Sequence, residues 1–156
     1  MLKISKLTDY GLLASIYLAR HRGEKVSARE VAEFCHLPIP AVSKVLKMLL
    51  EGGIITSFRG AGGGYSLETD PGLITLARLI EALEGPWELV ECEVIDDAGH
   101  AVCGIRQACP SRSFMFGINR VIKHAFEQVT LSDLVRGGQP ALVFAQTQRQ
   151  LQTTGA

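Results

Sequence analysis

The stretch from Ser27 to Leu67 constrains this chain more than any other, because its signals spell two short helices followed by a hairpin. Ser27-Ala-Arg-Glu30 has the form of a capping box, in which hydroxyl and carboxylate each satisfy a free backbone N–H at a helix start. The helix it opens carries Val31, Ala32 and Cys35 on one face. His36-Leu-Pro-Ile-Pro40 breaks that helix, and proline near a first helical position suits the start of the next. There Val42, Val45, Leu46 and Leu49 fall at i, i+3, i+4, i+7, a stripe made for burial. Ser43, Lys44 and Lys47 lie on the opposite face, and Gly52-Gly53 closes the helix as a C-cap. Ile54-Ile-Thr-Ser-Phe58 and Tyr65-Ser-Leu67 read as paired strands around the tip Arg59-Gly-Ala-Gly-Gly-Gly64. The pattern predicts a mainly α chain: a winged helix-turn-helix with a small β-hairpin wing. Its second helix fits a DNA major groove, and a tip bearing Arg59 and Gly60 can approach the backbone or minor groove closely.

A net charge of zero suits DNA poorly until it is divided along the chain. Residues 1–66 hold nine Lys/Arg against five Asp/Glu, residues 67–109 hold two against nine, and residues 110–156 hold five against two. The basic excess lies with the helix-turn-helix, so a locally positive face can meet phosphates while the molecule stays neutral. Residues 5–20 form a first helix, with Ser5 as N-cap and Leu7, Tyr10, Leu13, Ala14, Ile16 and Tyr17 as its apolar faces. Lys3 and Lys6 precede or open it, where phosphate contacts are expected alongside Ser27 at the start of the next helix.

After the wing, Thr69-Asp-Pro-Gly72 is a turn. Thr75 then caps a helix with Leu76, Leu79, Ile80 and Leu83 on one face, stopped by Gly85-Pro86. Residues 87–94 suggest a short extended piece, and 96–100 a loop. A long helix begins near Ser111 or Ser113 and runs to about Val129. Phe114, Ile118, Val121 and Ala125 make one apolar stripe on it, and Ile122, Phe126 and Val129 a second. Two stripes suggest packing on its own domain and on a second copy of itself, so this helix is expected to dimerise the protein. Thr130-Leu-Ser-Asp133 opens a last short helix ending at Gly137-Gly138. The expected organisation is a DNA-binding domain over 1–85, a cysteine loop over 86–111, the dimerisation and terminal helices over 112–136, and a mobile tail over 137–156.

Cys92, Cys103 and Cys109 form a C-x10-C-x5-C arrangement in the irregular stretch between helices, while Cys35 reads as a small core residue. The start of the chain lacks an uninterrupted apolar leader, and no run is long enough to span a membrane, so a cytoplasmic protein without membrane partners is expected. In that compartment thiols serve as ligands, sensors or core residues more often than as disulfides. The tight C-x2-C knuckle of structural zinc sites is missing. Three widely spaced thiolates suit a larger, softer object such as an iron–sulfur cluster. Spacing alone leaves a cluster, another metal, a thiol switch and no function all open.

Taken together, Leu2-Lys-Ile-Ser-Lys-Leu-Thr-Asp-Tyr10, the wing 59–65, Leu79-Ile-Glu-Ala-Leu-Glu-Gly85 and the loop ending Cys109-Pro110 resemble the Rrf-two family of winged-helix regulators. Cys92-Glu93 and Val129-Thr-Leu-Ser-Asp-Leu134 are most similar to the branch that regulates the SUF cluster-assembly operon. The resemblance implies a homodimeric transcription factor on a palindromic double-stranded operator, sensing a 2Fe–2S or 4Fe–4S cluster. It places Ser43, Lys44 and Lys47 on the recognition helix, Arg59 in the minor groove, and the cluster on Cys92, Cys103 and Cys109. Some members carry a histidine ligand three residues after the last cysteine, where this chain has Arg112. Others use an acid in the partner's first helix, which makes Asp9 the expected fourth ligand and His100 the runner-up. Asp9 also reads simply as a favourable acid in a first helical turn. A cluster-free regulator responding to thiol oxidation, another metal or a partner protein is the competing expectation. No enzyme is expected: C-x-x-C, P-loop and G-x-S-x-G motifs are all missing, and the glycines at 60–64 do not open a helix.

Overall fold

The computed structural model describes residues 5–60, 62–86, 95–96 and 98–137. Lys3, Cys92, the extended piece at 87–94 and the tail beyond Gly137 lie outside the described residues. The elements follow in the order α1 (Lys6–Arg20), α2 (Ala28–Cys35), α3 (Ile39–Glu51), β1 (Thr56–Phe58), β2 (Gly64–Ser66), α4 (Leu76–Glu84), α5 (Arg112–Gln128) and α6 (Leu131–Arg136). A single turn of 3-10 helix, Pro71–Leu73, joins the wing to α4. The architecture is thus mainly helical with one two-stranded antiparallel sheet, as the sequence predicts.

Helix α1 is the hub, touching α2, α3, α4 and α6. Its buried residues are Thr8, Gly11, Ala14, Ser15 and Leu18, so the face expected from its larger apolar residues is not the innermost one. Leu13 is exposed, while Leu7, Tyr10, Ile16 and Tyr17 pack round the rim of the core. Small residues line the centre because a helix enclosed by four others must let their backbones approach. A Cβ on Gly11 would fall 2.4 Å from Cδ1 of Leu83 on α4. The Ser15 hydroxyl disposes of its polarity within the helix by donating to the Gly11 carbonyl at 2.8 Å.

The capping box of α2 is present, with Ser27 Oγ accepting from Glu30 N at 3.2 Å and Glu30 Oε2 accepting from Ser27 N at 2.7 Å. The turn to α3 passes through His36 in the left-handed region (φ 54°), whose backbone N–H closes α2. Val42, Val45, Leu46 and Leu49 of α3 are all buried, as their spacing requires. The core continues through Ile54, Ile55 and Leu67 into Leu79 and Leu83 of α4. The strands are shorter than the apolar runs suggest, because Ile54 and Ile55 enter the core before pairing begins. Among the described residues no helix is long and apolar enough to cross a membrane.

The end of the described chain returns to the first domain. Leu76 N donates to the Val129 carbonyl at 2.7 Å and Leu131 N to the Ile74 carbonyl at 2.8 Å, a short bridge that seats α6 against α1. Leu131 is fully buried there, and Thr130 and Asp133 form a second capping box. Both ends of α5 are thereby joined to the helix-turn-helix unit, one through the cysteine segment and one through this bridge.

Candidate nucleic-acid interface and cysteine segment

Burial of the α3 stripe leaves the other side of that helix to solvent. Ser43, Lys44 and Lys47 are exposed on it, and Lys47 Nζ lies 3.6 Å from Glu51 Oε1 one turn on. Lys6 is exposed at the first position of α1. Ser27 is half-buried, its hydroxyl accepting the α2 cap bond, so it is first a structural residue.

The wing pairs Thr56 with Ser66, Ser57 with Tyr65 and Phe58 with Gly64, and carries Arg59 and Gly60 exposed at its tip. Gly60 has φ 106°, which favours glycine. Gly64 has a different reason: a Cβ there would lie 2.6 Å from the carbonyl oxygen of Val26. Val26 and Tyr65 exchange backbone hydrogen bonds of 2.9 and 2.8 Å, tying the wing to the loop before α2. Sequence reasoning missed this additional bridge, since a single apolar residue between Lys25 and Ser27 carries no strand signal. It also missed Lys25, whose ammonium stands 4.5 Å from the centre of the Phe58 ring and adds a cation beside the last pair before the wing's tip.

The start of α1 is clasped by α4. Glu84 Oε1 accepts from the Ser5 backbone N–H at 3.3 Å and from the buried Thr8 hydroxyl. Hydrogen bonds from Ser5 and then Thr8 hold the Glu84 carboxyl below its ordinary range. Glu84 is the last residue of α4, and the cysteine segment follows directly.

In that segment Asp96 organises a tight loop, its Oδ1 accepting from Ala98 N at 3.0 Å and His100 N at 2.7 Å. Cys103 and Cys109 are free thiols, both half-buried. Arg106 N donates to the Cys103 carbonyl at 3.2 Å, a turn that keeps arginine and cysteine side by side. Cys103, Arg106, His100 and Arg112 share the wall of a cavity of about 760 Å³. The Cys109 sulfur lies 3.3 Å from the Ser111 hydroxyl, and this contact lowers the thiol's pKa, stabilising thiolate. Ser111 is the N-cap residue of α5, yet its side chain makes no cap bond, being turned toward the sulfur. Among the described residues no three His, Cys, Asp or Glu side chains lie close enough to hold a metal ion, so one chain does not bring Asp9 or His100 together with both thiols. Asp9 is exposed in the first turn of α1, free to face another molecule. Cys35 packs against the core, and burial pushes its thiol pKa up, as a small core residue requires.

Residues 4–137 match the family model described as an iron-dependent transcriptional regulator, Rrf2. The chain is 33% identical over 137 residues to the HTH-type transcriptional repressor NsrR of Streptomyces coelicolor, covering 86% of this chain and 88% of that protein. It is 33% identical over 147 residues to the HTH-type transcriptional regulator CymR of Bacillus subtilis, covering 92% and 99%. The solved structure of that CymR, described as the global cysteine regulator, superposes with a TM-score of 0.69 at 31% identity over 89% of this chain and 100% of the other. The structure of T. potens IscR matches with a TM-score of 0.63 at 26% identity over 90% of each chain. These relatives are regulators of transcription and not enzymes. The similarity spans several branches and does not single out the SUF-type one. The chain belongs to the Rrf2 family of winged-helix transcriptional regulators.

Proposed function

We propose that the protein is a homodimeric, cytoplasmic DNA-binding regulator that reads a palindromic operator and senses an iron–sulfur cluster. The observation that carries the sensing half is the placing of Cys103 on the wall of a cavity shared with Arg106 and Arg112, six residues before Cys109, whose sulfur touches Ser111 at the start of α5. Two free thiols beside cationic side chains fit an anionic, thiolate-bound group, and the orphaned Nε of Arg106, buried with no acceptor among the described residues, fits it further. Cys92 would supply the third sulfur, and Asp9 of the second subunit the fourth ligand. When bound, a 2Fe–2S or 4Fe–4S cluster supplies an oxygen- and redox-sensitive link between these side chains.

The chain's own residues convert that link into a change at DNA. Cys109 is joined through Ser111 to the first turn of α5, so ligation of its thiolate bears on how that helix begins. The far end of α5 is fixed to the helix-turn-helix unit by the rung at Thr75 and Thr130. If α5 also forms the two-fold interface, a shift at its start alters the spacing of the two recognition helices. Binding needs both half-sites in register, so small shifts change affinity. The Cys92-Glu93 and 129–134 resemblances favour cluster-assembly genes of the SUF type as targets.

Oxygen-free purification of the full chain, with iron and sulfide assays and footprinting before and after cluster removal, tests this reading. Colourless, iron-free protein whose footprint ignores iron and sulfide would falsify it. A second reading, in which the thiols respond to oxidation without iron, is favoured by the likeness to CymR and by the stabilised thiolate of Cys109. It predicts a footprint that changes with a disulfide-forming oxidant and is restored by dithiothreitol.

A further inference from the structure

The loop before α2 and the wing meet through a lysine and an aromatic ring. Phe58 and Gly64 are paired across the hairpin, so their Cβ directions share one face of the sheet. A Cβ on Gly64 would fall 2.6 Å from the Val26 carbonyl oxygen, so that face is the one turned to the loop. The missing side chain lets the loop close on the hairpin, where Val26 and Tyr65 exchange their two backbone hydrogen bonds. Lys25 precedes Val26 and is carried in with it, its Nζ standing 4.5 Å from the centre of the Phe58 ring. Lys25 is exposed, and so is Phe58, by 38%. The acids nearest to Lys25 in sequence are engaged elsewhere. Glu24 Oε2 lies 3.0 Å from His21 Nδ1, and Glu30 Oε2 accepts from the Ser27 backbone N–H. Among the described residues Lys25 has no ion-pair partner. A ring face engages one side of an ammonium and leaves donors on its other side open to an anion. Arg59 follows Phe58 directly, so a second cation stands at the same end of the wing.

We propose that Lys25 contacts a DNA backbone phosphate beside the wing, with Phe58 as its positioning residue. The assignment rests on the DNA-binding half of the reading above, deepens it, and is independent of any metal. A lysine free in water gives up rotamer freedom on meeting a phosphate, and one already held over a ring gives up less. The exposed ring therefore acts through the lysine without touching a base. Phosphate carries no sequence information, so the contact adds affinity and fixes the wing's register on the duplex without choosing bases.

The test is binding of the full chain, over a range of salt, to a duplex selected from a random pool and to an unrelated duplex. Each protein is measured at a temperature where its own melting curve shows it folded. Lys25→Gln is expected to weaken binding to both duplexes by the same factor and to flatten the salt slope by about one unit for each chain bound. Lys25→Arg should keep the slope. Arg136→Gln, which removes an exposed cation at the end of α6, should bind as wild type. Phe58→Val removes the ring and keeps a residue suited to a strand, and it should weaken both duplexes less than Lys25→Gln does. Phe58→Tyr, which keeps the ring, should restore wild-type binding. Joined to Lys25→Gln, Phe58→Val should add no further loss. An unchanged slope in Lys25→Gln, or an equal flattening in Arg136→Gln, overturns the phosphate contact. Wild-type binding by Phe58→Val, or an added loss in the double variant, overturns the positioning role of the ring. Wild type that binds neither duplex overturns the DNA reading itself, a result separate from any of these.

Discussion

The Thr8 hydroxyl, fully buried in the first turn of α1, donates to the carboxylate of Glu84 at the last turn of α4. Ser5 closes the same clasp through its backbone N–H. Two elements distant in sequence are thereby fixed to one another, the first carrying the candidate phosphate contact Lys6 and the candidate ligand Asp9 in its first turn, the second ending where the cysteine segment begins. Glu84→Ala removes the acceptor, although Ser5 Oγ still lies 3.2 Å from the Thr8 hydroxyl. A loss of about 1–2 kcal/mol in chemical denaturation is expected.

The same contact gives a pH dependence with a definite sign. Glu84 is held below its ordinary 4.5 by Ser5 and Thr8, and Asp133 below its ordinary 3.8 by Thr130. Both carboxyls therefore bind protons more readily in the unfolded chain, so stability rises with pH across this window. Their contribution is complete above the ordinary values and is lost as pH falls through the lowered ones. Melting temperature followed through the acid range should drop less steeply in Glu84→Gln than in wild type.

How much of this was legible varied with the range of the interaction. Capping boxes at Ser27 and Thr130 and the stripe at 42–49 are local patterns, and the structure keeps all of them. Of the apolar faces expected for α1, Ala14 is buried but Leu13 is exposed, because burial at its centre follows close approach, which also brings in Gly11 and Ser15. The Val26–Tyr65 rung and the Glu84 clasp join residues far apart in sequence, for which a single chain offers no period to count. In the cysteine segment, spacing points to a ligand set, but nothing in the sequence singles out Arg106, whose Nε is buried.

The wing depends on backbone contact as much as on its arginine. In Gly64→Ala the new methyl would lie 2.6 Å from the Val26 carbonyl oxygen and 3.0 Å from its carbon, neither of which can swing aside. The two hydrogen bonds between Val26 and Tyr65 must lengthen. A destabilisation of about 1–3 kcal/mol is expected from such overpacking. Operator binding, measured on a duplex selected from a random pool, should weaken even at temperatures where the protein remains folded.

On that same duplex the cations are expected to separate by role. Arg59→Ala should cost about 1–3 kcal/mol of specific binding if the side chain reads a base edge or a narrow groove. Lys44→Ala should weaken binding to all sequences and flatten the salt dependence by about one unit. Lys47→Ala should do less, because Glu51 at 3.6 Å already offsets part of that charge. Unchanged footprints in all three would place the recognition surface elsewhere.

Helix α5 supplies the prediction on assembly. Phe114 and Val121, seven residues apart and so on one face, are 71% and 66% exposed, with Phe116 also open to solvent. Asn119 is the one residue of α5 that is buried, although Ile118, Ile122, Ala125 and Phe126 are half-covered. An amphipathic helix with its apolar side uncovered loses hydrophobic stabilisation that a second copy can restore, at about 25 cal/mol for each Å² removed from water. A charge placed on that side must be desolvated or must prevent pairing. Val121→Glu is therefore expected to sediment as a monomer where wild type sediments as a dimer, with the far-ultraviolet spectrum of the helix-turn-helix unit unchanged. If the operator is palindromic and gripped by two linked recognition helices, as proposed, the same variant should lose most operator affinity while keeping weak, salt-sensitive binding to any duplex. Wild type that sediments as a monomer at the concentrations where it footprints would show that α5 is covered by something else.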